Sequence, residues 1–277
     1  MTPSLVLLLL ALLPIAACTA QDAPAPAATS AAATPAAATA ATAAVTPTTA
    51  ATPAAVPATE AAATTAAAEA AAAMAASAAA QGPAPVAGTD YVVIEGGQPF
   101  DPASGKIEVV EVFGYTCPHC AEFQPLVNAW KAKLPRDVKF NYVPAPFGGY
   151  WVPYARAYYA AEAMGVLGKS HDAMFRALHL ERSLPIQNAT PAEIGAFYAK
   201  YGVDPKQFAS TMQSFAVDGK VNRAKQFLQR TGVDGTPMML VNGKYRVATQ
   251  GGFEKMLATV NKLIAQERAA KGGAARK

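Results

Sequence analysis

The residues best suited to chemistry are four in a row, Cys117-Pro118-His119-Cys120. Two cysteines one helical turn apart are close enough to form a disulfide, and the thiolate of one of them would be the nucleophile of thiol–disulfide exchange. His119 adds a group that can carry positive charge beside that thiolate, which lowers the pKa of a thiol. The motif therefore predicts a redox-active Cys117–Cys120 disulfide that needs no further cofactor and no metal.

The surrounding pattern places this motif where a buried strand ends and a helix begins. Residues 107–115 are apolar on both faces apart from two acids, as in a central strand. Cys117 then lies at the N-terminus of the next helix, where free N–H groups favour an anion, and Pro118 suits the first helical position. We expect Cys120, one turn later, to be the more buried cysteine. The helix itself is indicated by apolar residues on one stripe: Phe123, Leu126, Val127, Trp130 and Leu134.

The remaining segments extend this pair of elements into an α/β fold. Strands are predicted over residues 91–95 and 138–143, and the latter completes a parallel βαβ unit. Residues 150–232 have the pattern of successive helices. Two strand-like runs around an Asn-Gly pair then indicate a hairpin, and an amphipathic helix over residues 253–270 follows. The order predicts a thioredoxin-like fold with an inserted all-helical domain.

Three other roles for the two cysteines stay open at this point. A structural zinc site needs four ligands, and Cys117 and Cys120 with His171 and His179 could supply them, although these histidines lack the spacing of common zinc sites. A purely structural disulfide would close the shortest of loops and stabilise the fold least. Chance proximity is the third. A CxxC motif after a strand of a βαβ unit is typical of thioredoxin-like proteins, which favours a redox-active pair.

The motif CPHC, the acid Glu111 six residues before it and the helical insertion together resemble the DsbA family of bacterial thiol:disulfide oxidoreductases. The resemblance runs from about residue 90 to residue 270 and includes the segment 232–237. It implies that Pro237 is cis and faces the CxxC motif, and that the backbone at Thr236 pairs with substrate. Thr236 stands where the enteric members carry Val, at a position that tunes the redox potential.

Glu111 is a candidate proton carrier. On the predicted second strand it shares a face with Ile107, Val109 and Phe113, so we expect it to be buried. A buried carboxyl has a raised pKa and can exchange a proton with Cys120 during turnover. The alternative is a carboxylate at the rim of the domain, hydrogen-bonded to a neighbour; the family resemblance favours the proton relay.

The resemblance implies that the protein oxidises other proteins. A thiolate of a reduced exported polypeptide attacks Cys117, and the second thiol of that client resolves the mixed disulfide. A DsbB-like quinone-linked membrane protein then reoxidises the pair. The alternatives are a disulfide isomerase or reductase, and a tethered metal-binding domain that uses Cys117, His119 and Cys120. The net charge is +4, and the sequence has no run of basic residues that would indicate nucleic-acid binding. We expect the protein to be a monomer.

The first residues have the features of an export signal. Residues 5–13 form an aliphatic run, too short for a membrane-spanning helix of about 20 residues. Residues 15–18, Ile-Ala-Ala-Cys, resemble a bacterial lipobox, which implies that Cys18 receives a diacylglycerol and becomes the new N-terminus. Ordinary cleavage after Ala20 is the alternative. Thr19 after the lipidated cysteine implies attachment to the outer membrane of a Gram-negative bacterium, with the protein in the periplasm.

Composition divides the chain into unequal parts. More than half of residues 19–88 are Ala, with many Pro and Thr and no Leu, Ile or aromatic residue, so this stretch cannot bury enough apolar surface to fold. The predicted parts are an export signal with lipobox (1–18), a disordered tether (19–88), a thioredoxin-like domain (89–149 and 233–270), an inserted helical domain (150–232) and a basic tail (271–277).

Overall fold

The fold is seen in a computed structural model, which describes residues 83–274. The predicted export signal, with Cys18, and most of the predicted tether lie outside these residues. The strands are β1 (Tyr91–Val93), β2 (Ile107–Phe113), β3 (Val138–Pro144), β4 (Met238–Val241) and β5 (Tyr245–Val247). The α-helices are α1 (Pro118–Lys131), α2 (Trp151–Ala163), α3 (Leu167–His179), α4 (Pro191–Tyr198), α5 (Pro205–Met212), α6 (Phe215–Thr231) and α7 (Gly252–Ala274).

The five strands form one mixed sheet in the order β1-β5-β4-β2-β3. Strands β2 and β3 are parallel, with Ile107 opposite Val138 and Glu111 opposite Tyr142, and the other three pairs are antiparallel. Helix α1 connects the two parallel strands, because a parallel pair needs a crossover. The predicted thioredoxin-like fold is confirmed, with five helices inserted between β3 and β4.

Different helices cover the two faces of the sheet. Every residue of β2 is buried, as expected of a central strand with helices on both sides. One face packs against α1 and α7, in a core that includes Val109, Met239, Phe123, Val127 and Val260. The other face packs against the inserted helices, in a core that includes Val110, Val112, Leu240, Tyr158 and Phe227. The helix that begins at the CPHC motif is therefore held against the sheet by an apolar core.

The folded domain extends beyond its predicted limits, residues 89 and 270, at both ends. Helix α7 continues to Ala274, past the predicted end at residue 270, and its Lys271 donates from Nζ to the Gly105 carbonyl over 3.0 Å. Residues 83–88, predicted as tether, contact the domain, since Nζ of Lys262 donates to the Pro83 carbonyl over 2.9 Å. Composition alone did not reveal these contacts, because each is made by a single lysine to a backbone oxygen.

Candidate active site

Cys117 is the N-cap residue of helix α1. Its backbone is extended (φ −88°, ψ 117°), and Pro118 is the first helical residue. The N–H of Cys120 donates to Sγ of Cys117 over 3.4 Å, so the sulfur takes the place that a serine or aspartate oxygen has in common N-caps. Strand β2 ends at Phe113, and the N–H of Cys117 donates to the Gly114 carbonyl over 3.0 Å, which turns the chain into the helix. The positive end of the helix dipole therefore lies at this sulfur.

Hydrogen bonds lower the pKa of Cys117 from 9.0 to about 5. The largest cause is the hydrogen bond from the Cys120 thiol; burial opposes it, and the Thr236 side chain and the backbone N–H groups of Cys120 and His119 lower the pKa further. Cys117 is therefore a thiolate at neutral pH, which is the reactive form in thiol–disulfide exchange.

Cys120 has the opposite electrostatic environment. It is 0% exposed, against 6% for Cys117, so it is the more buried of the two. Burial raises the pKa of Cys120, and the hydrogen bond to Cys117 and the charges of Cys117 and Glu111 raise it further. Both cysteines are free thiols in the structure. One thiol is thus kept as an anion and its neighbour is kept protonated.

The imidazole of His119 faces solvent. Its side chain is 69% exposed, and Nδ1 lies 3.4 Å from Oε2 of Glu122, one turn along the helix. The prediction was that a cationic imidazole stabilises the thiolate of Cys117. In the structure, the backbone N–H of His119 lowers the pKa of Cys117, and a contribution from the imidazole stays a prediction.

The segment before β4 borders the nucleophile. Helix α6 is capped by Gly232 in the left-handed region (φ 64°), and the Thr236–Pro237 peptide bond is cis, as the resemblance implies. The carbonyl oxygen of Thr236 lies 3.5 Å from Sγ of Cys117. The Thr236 side chain also lowers the pKa of both cysteines, an effect that a valine at this position would lack.

Glu111 is a buried carboxyl without a hydrogen-bond partner. It is 0% exposed, and neither of its side-chain oxygens has a hydrogen bond within the described part of the chain. Burial raises the pKa of Glu111 to about 8; the charge of Lys131 opposes this shift and the charge of Cys117 adds to it. The predicted burial is present, and the hydrogen-bonded rim carboxylate does not describe this residue. At neutral pH Glu111 is mostly protonated and can act as an acid.

The two histidines that could have completed a zinc site make other contacts. Nδ1 of His171 lies 2.8 Å from the Tyr115 hydroxyl, and burial lowers the pKa of His171 to about 3. Nε2 of His179 donates to the Tyr115 carbonyl over 2.7 Å. Across residues 83–274, no three His, Cys, Asp or Glu side chains are grouped closely enough to hold a metal ion. The histidines instead fix the segment that leads into Cys117.

A hydrogen-bonded polar cluster behind the motif was not predicted. We call it the Tyr142 cluster, and its members come from α1, β3 and α3: Gln124, Asn128, Lys131, Tyr142 and Asp172. It borders a groove of about 650 Å³ between α1 and α3. Single-sequence patterns could not reveal it, because α3 is about 40 residues further along the chain than α1 and only the fold brings them together.

Membrane attachment is not visible in the described region. Of the helices within residues 83–274, none combines the length and the apolar character that crossing a bilayer requires. Cys18, the predicted lipidation site, lies outside the described residues. The predicted anchor therefore stays a prediction.

Comparison with known proteins agrees with the site geometry. Residues 108–258 match the model of the DSBA-like thioredoxin domain family. The thiol:disulfide interchange protein DsbA of Pseudomonas aeruginosa PAO1 is 44% identical over 186 residues, which cover 66% of this chain and 86% of that protein. DsbA of Azotobacter vinelandii is 45% identical over 168 residues, covering 60% and 77% of the two chains.

Solved structures show the same similarity. The crystal structure of the oxidoreductase DsbA from Xylella fastidiosa superposes with a TM-score of 0.65 at 49% identity, covering 67% of this chain and 98% of that one. The crystal structure of Pseudomonas aeruginosa DsbA gives a TM-score of 0.62 at 43% identity, covering 68% and 96%. The residues that match the family model begin after the Ala- and Pro-rich N-terminal stretch of this chain.

Proposed function

The chain belongs to the DsbA family of thiol:disulfide oxidoreductases, and we propose that it donates the Cys117–Cys120 disulfide to reduced exported polypeptides. The observation that carries this proposal is the asymmetry of the two thiols, with the pKa of Cys117 lowered to about 5 and that of Cys120 raised. A stable thiolate favours the reduced pair, so the disulfide accepts electrons readily.

The first chemical step opens the disulfide. A client thiolate attacks Sγ of Cys117, the client–Cys117 bond forms, and the Cys117–Cys120 bond breaks with Cys120 as the leaving thiolate. Because the pKa of Cys120 is raised, this thiolate takes up a proton. Glu111, whose pKa of about 8 keeps it protonated at neutral pH, is the proposed donor.

The second step releases the oxidised client. The second thiolate of the client attacks the client sulfur of the mixed disulfide, and Cys117 leaves as a stable thiolate, so two electrons have passed from client to protein. The carbonyl of Thr236, 3.5 Å from Sγ of Cys117, is in position to pair with the client backbone beside Pro237. Pro118 is the first residue of the helix that Cys117 caps, and the backbone N–H of His119 helps to stabilise the Cys117 thiolate.

Renewed turnover requires reoxidation. The proposed partner is a DsbB-like quinone-linked membrane protein, which would take the two electrons from the Cys117 and Cys120 thiols. The proposed site of action is the periplasm of a Gram-negative bacterium, where disulfides form and persist. The protein is proposed to act there as a monomer, with a thioredoxin-like domain over residues 89–149 and 233–270.

The lipid anchor is a separate part of the proposal. The lipobox-like residues 15–18 support lipidation of Cys18, attachment to the outer membrane, and a tether over residues 19–88 that lets the domain reach clients. Mass spectrometry of the protein expressed with its own N-terminus tests this: a diacylated Cys18 supports it, and an unmodified chain that starts at Gln21 contradicts it. A Cys18→Ser variant should lose the modification and keep the redox activity of the CPHC motif.

Oxidation of a reduced two-cysteine peptide tests the proposed activity. Oxidised protein should convert the peptide to its disulfide, and Cys117→Ser and Cys120→Ser should both be inactive, because neither variant can form the disulfide that accepts the two electrons. If the protein instead rearranges scrambled disulfides faster than it oxidises thiols, the isomerase alternative replaces this proposal. Stoichiometric zinc or copper in the purified protein, together with no thiol exchange, would establish the metal-binding alternative.

A further inference from the structure

In the proposed reaction Glu111 gives its proton to Cys120, and its pKa of about 8 favours return to the acid form at neutral pH, by a route that its surroundings limit. It is fully buried between the sheet and α1, and its two oxygens have no hydrogen bond in the described region. Its partner on β3 in the parallel register is Tyr142, whose side chain projects from the same face of the sheet. Its partner on β4 is Met239, which carries no exchangeable proton.

Within residues 83–274, the hydroxyl of Tyr142 accepts two hydrogen bonds and donates none. Nε2 of Gln124 donates to this oxygen over 2.9 Å and Nζ of Lys131 donates over 3.2 Å. A tyrosine hydroxyl accepts two hydrogen bonds and donates one, so both acceptor positions are filled and its own proton is free to be donated. The unpartnered Glu111 oxygens are acceptors on the neighbouring strand.

The orientation of Gln124 is fixed by Asp172. The amide nitrogen of Gln124 donates to Oδ1 of Asp172 over 3.0 Å, and Nδ2 of Asn128 donates to Oδ2 over 2.9 Å. A carboxylate only accepts hydrogen bonds, so the Gln124 atom that faces it must be the NH₂ group. The two N–H groups of Gln124 are shared among Asp172, Oδ1 of Asn128 and the Tyr142 hydroxyl; because an NH₂ nitrogen only donates, the tyrosine proton points elsewhere.

Lys131 connects this hydroxyl to water. Its side chain is partly exposed, and its ammonium lies 4.7 Å from the centroid of the Tyr142 ring. Its charge opposes the raised pKa of Glu111. The titratable groups that interact electrostatically with Glu111 are Cys117, Cys120 and Lys131 at α1, Tyr142 on β3 and Tyr158 on α2.

We propose that Tyr142 and Lys131 form the path by which Glu111 regains a proton from water. This inference rests on the proposed function, because it begins when Glu111 has given its proton to the Cys120 thiolate. Tyr142 and Lys131 are relay residues that act through Glu111, since neither touches the reacting sulfur atoms. Gln124 and Asp172 are positioning residues for the Tyr142 hydroxyl.

The proton transfers balance along this path. The Glu111 carboxylate rotates toward Tyr142 and accepts its O–H proton, while the Tyr142 oxygen accepts a proton from the Lys131 ammonium along their hydrogen bond. Glu111 is then a neutral acid, Tyr142 is again a phenol, and Lys131 is a neutral amine at the surface. Water restores the ammonium, so the net change is the uptake of one solvent proton.

Hydrogen–deuterium exchange at Glu111 tests the path independently of activity. The full-length protein is mixed into D₂O, and infrared spectroscopy follows the shift of the Glu111 acid C=O band, which is assigned by its loss in Glu111→Gln. Tyr142→Phe should slow this exchange about a hundredfold, the scale of one positioned proton-transfer group. Lys131→Met should slow it in the same direction, and Lys131→Arg should also stay slow, because a guanidinium keeps the positive charge but does not release a proton.

Matched controls separate this effect from general damage to the fold. Lys133→Met removes an exposed lysine two residues from Lys131, and Tyr201→Phe removes a hydroxyl in the helical insertion; both should exchange at the wild-type rate. Wild-type exchange in both Tyr142→Phe and Lys131→Met would overturn the path. If Tyr142→Phe does not fold, Lys131→Met and Lys131→Arg decide the matter. Failure of the wild-type protein to oxidise peptides would refute the proposed function without altering the exchange rates.

Discussion

The lowered pKa of Cys117 should make the stability of the reduced protein depend on pH. The pKa is 9.0 for an ordinary thiol and about 5 in the folded protein. For a group whose pKa falls on folding, the stabilisation is complete above the unfolded value and is lost as pH falls through the folded value. The reduced protein should therefore gain stability between about pH 5 and pH 9, relative to the oxidised protein, which has no free thiol at this position.

The size of the gain follows from the two pKa values. At pH 7 the pH is about two units above the folded-state pKa of Cys117, which corresponds to a stabilisation of about 2.7 kcal/mol at most. Solvent screens a charge at a helix start, so we expect about 1–2 kcal/mol in practice. Cys120 does not contribute in this range because its raised pKa keeps it neutral in the folded state.

Urea unfolding of both redox forms between pH 4 and pH 8 measures this gain. The difference in unfolding free energy, reduced minus oxidised, should rise by about 1–2 kcal/mol from pH 4 to pH 7. Reduced Cys117→Ser is the control and should not show the rise. A difference that stays constant over this pH range would refute the argument that Cys117 is a stabilised thiolate.

Three further predictions concern neighbouring residues. Thr236→Val should raise the pKa of Cys117, because the threonine side chain lowers it, and ultraviolet thiolate absorbance against pH measures the shift. The pKa of Glu111 rises on folding to about 8, so the stability this group contributes is present at low pH and lost as pH rises toward 8. The unfolding free energy of Glu111→Gln should therefore increase relative to that of the wild type as pH rises. At pH 7, urea unfolding should show a relative increase of about 3 kcal/mol. Gly114→Ala should lower stability by about 1–3 kcal/mol in the same assay, because its Cβ would lie 2.1 Å from Cζ3 of Trp151, and equal stability would contradict this packing.

The local pattern predicted most of the fold. The buried run of β2, the helical stripe of α1 and the Asn-Gly hairpin between β4 and β5 all have periodicities that depend on adjacent residues. Element ends were less predictable: β2 stops at Phe113 because the chain turns at Gly114, and α7 continues past residue 270 through contacts made by distant residues.

The site was predictable where it depends on sequence neighbours. Cys117 and Pro118 at the helix start follow from the junction of strand and helix. The role of Thr236 in the pKa of Cys117 and the Tyr142 cluster depend on segments that meet only in the folded chain. The exposure of the His119 imidazole likewise depends on which side of α1 faces the sheet, and its pairing with Glu122 was not foreseen.

The most direct test of the account is a thiolate titration of the reduced protein. Ultraviolet absorbance of the Cys117 thiolate, with Cys117→Ser as the blank, gives the pKa of this one sulfur. We predict a single transition with a pKa of about 5. A transition near 9, the ordinary thiol value, would contradict the proposal that this protein holds Cys117 as an anion and is an oxidant for that reason.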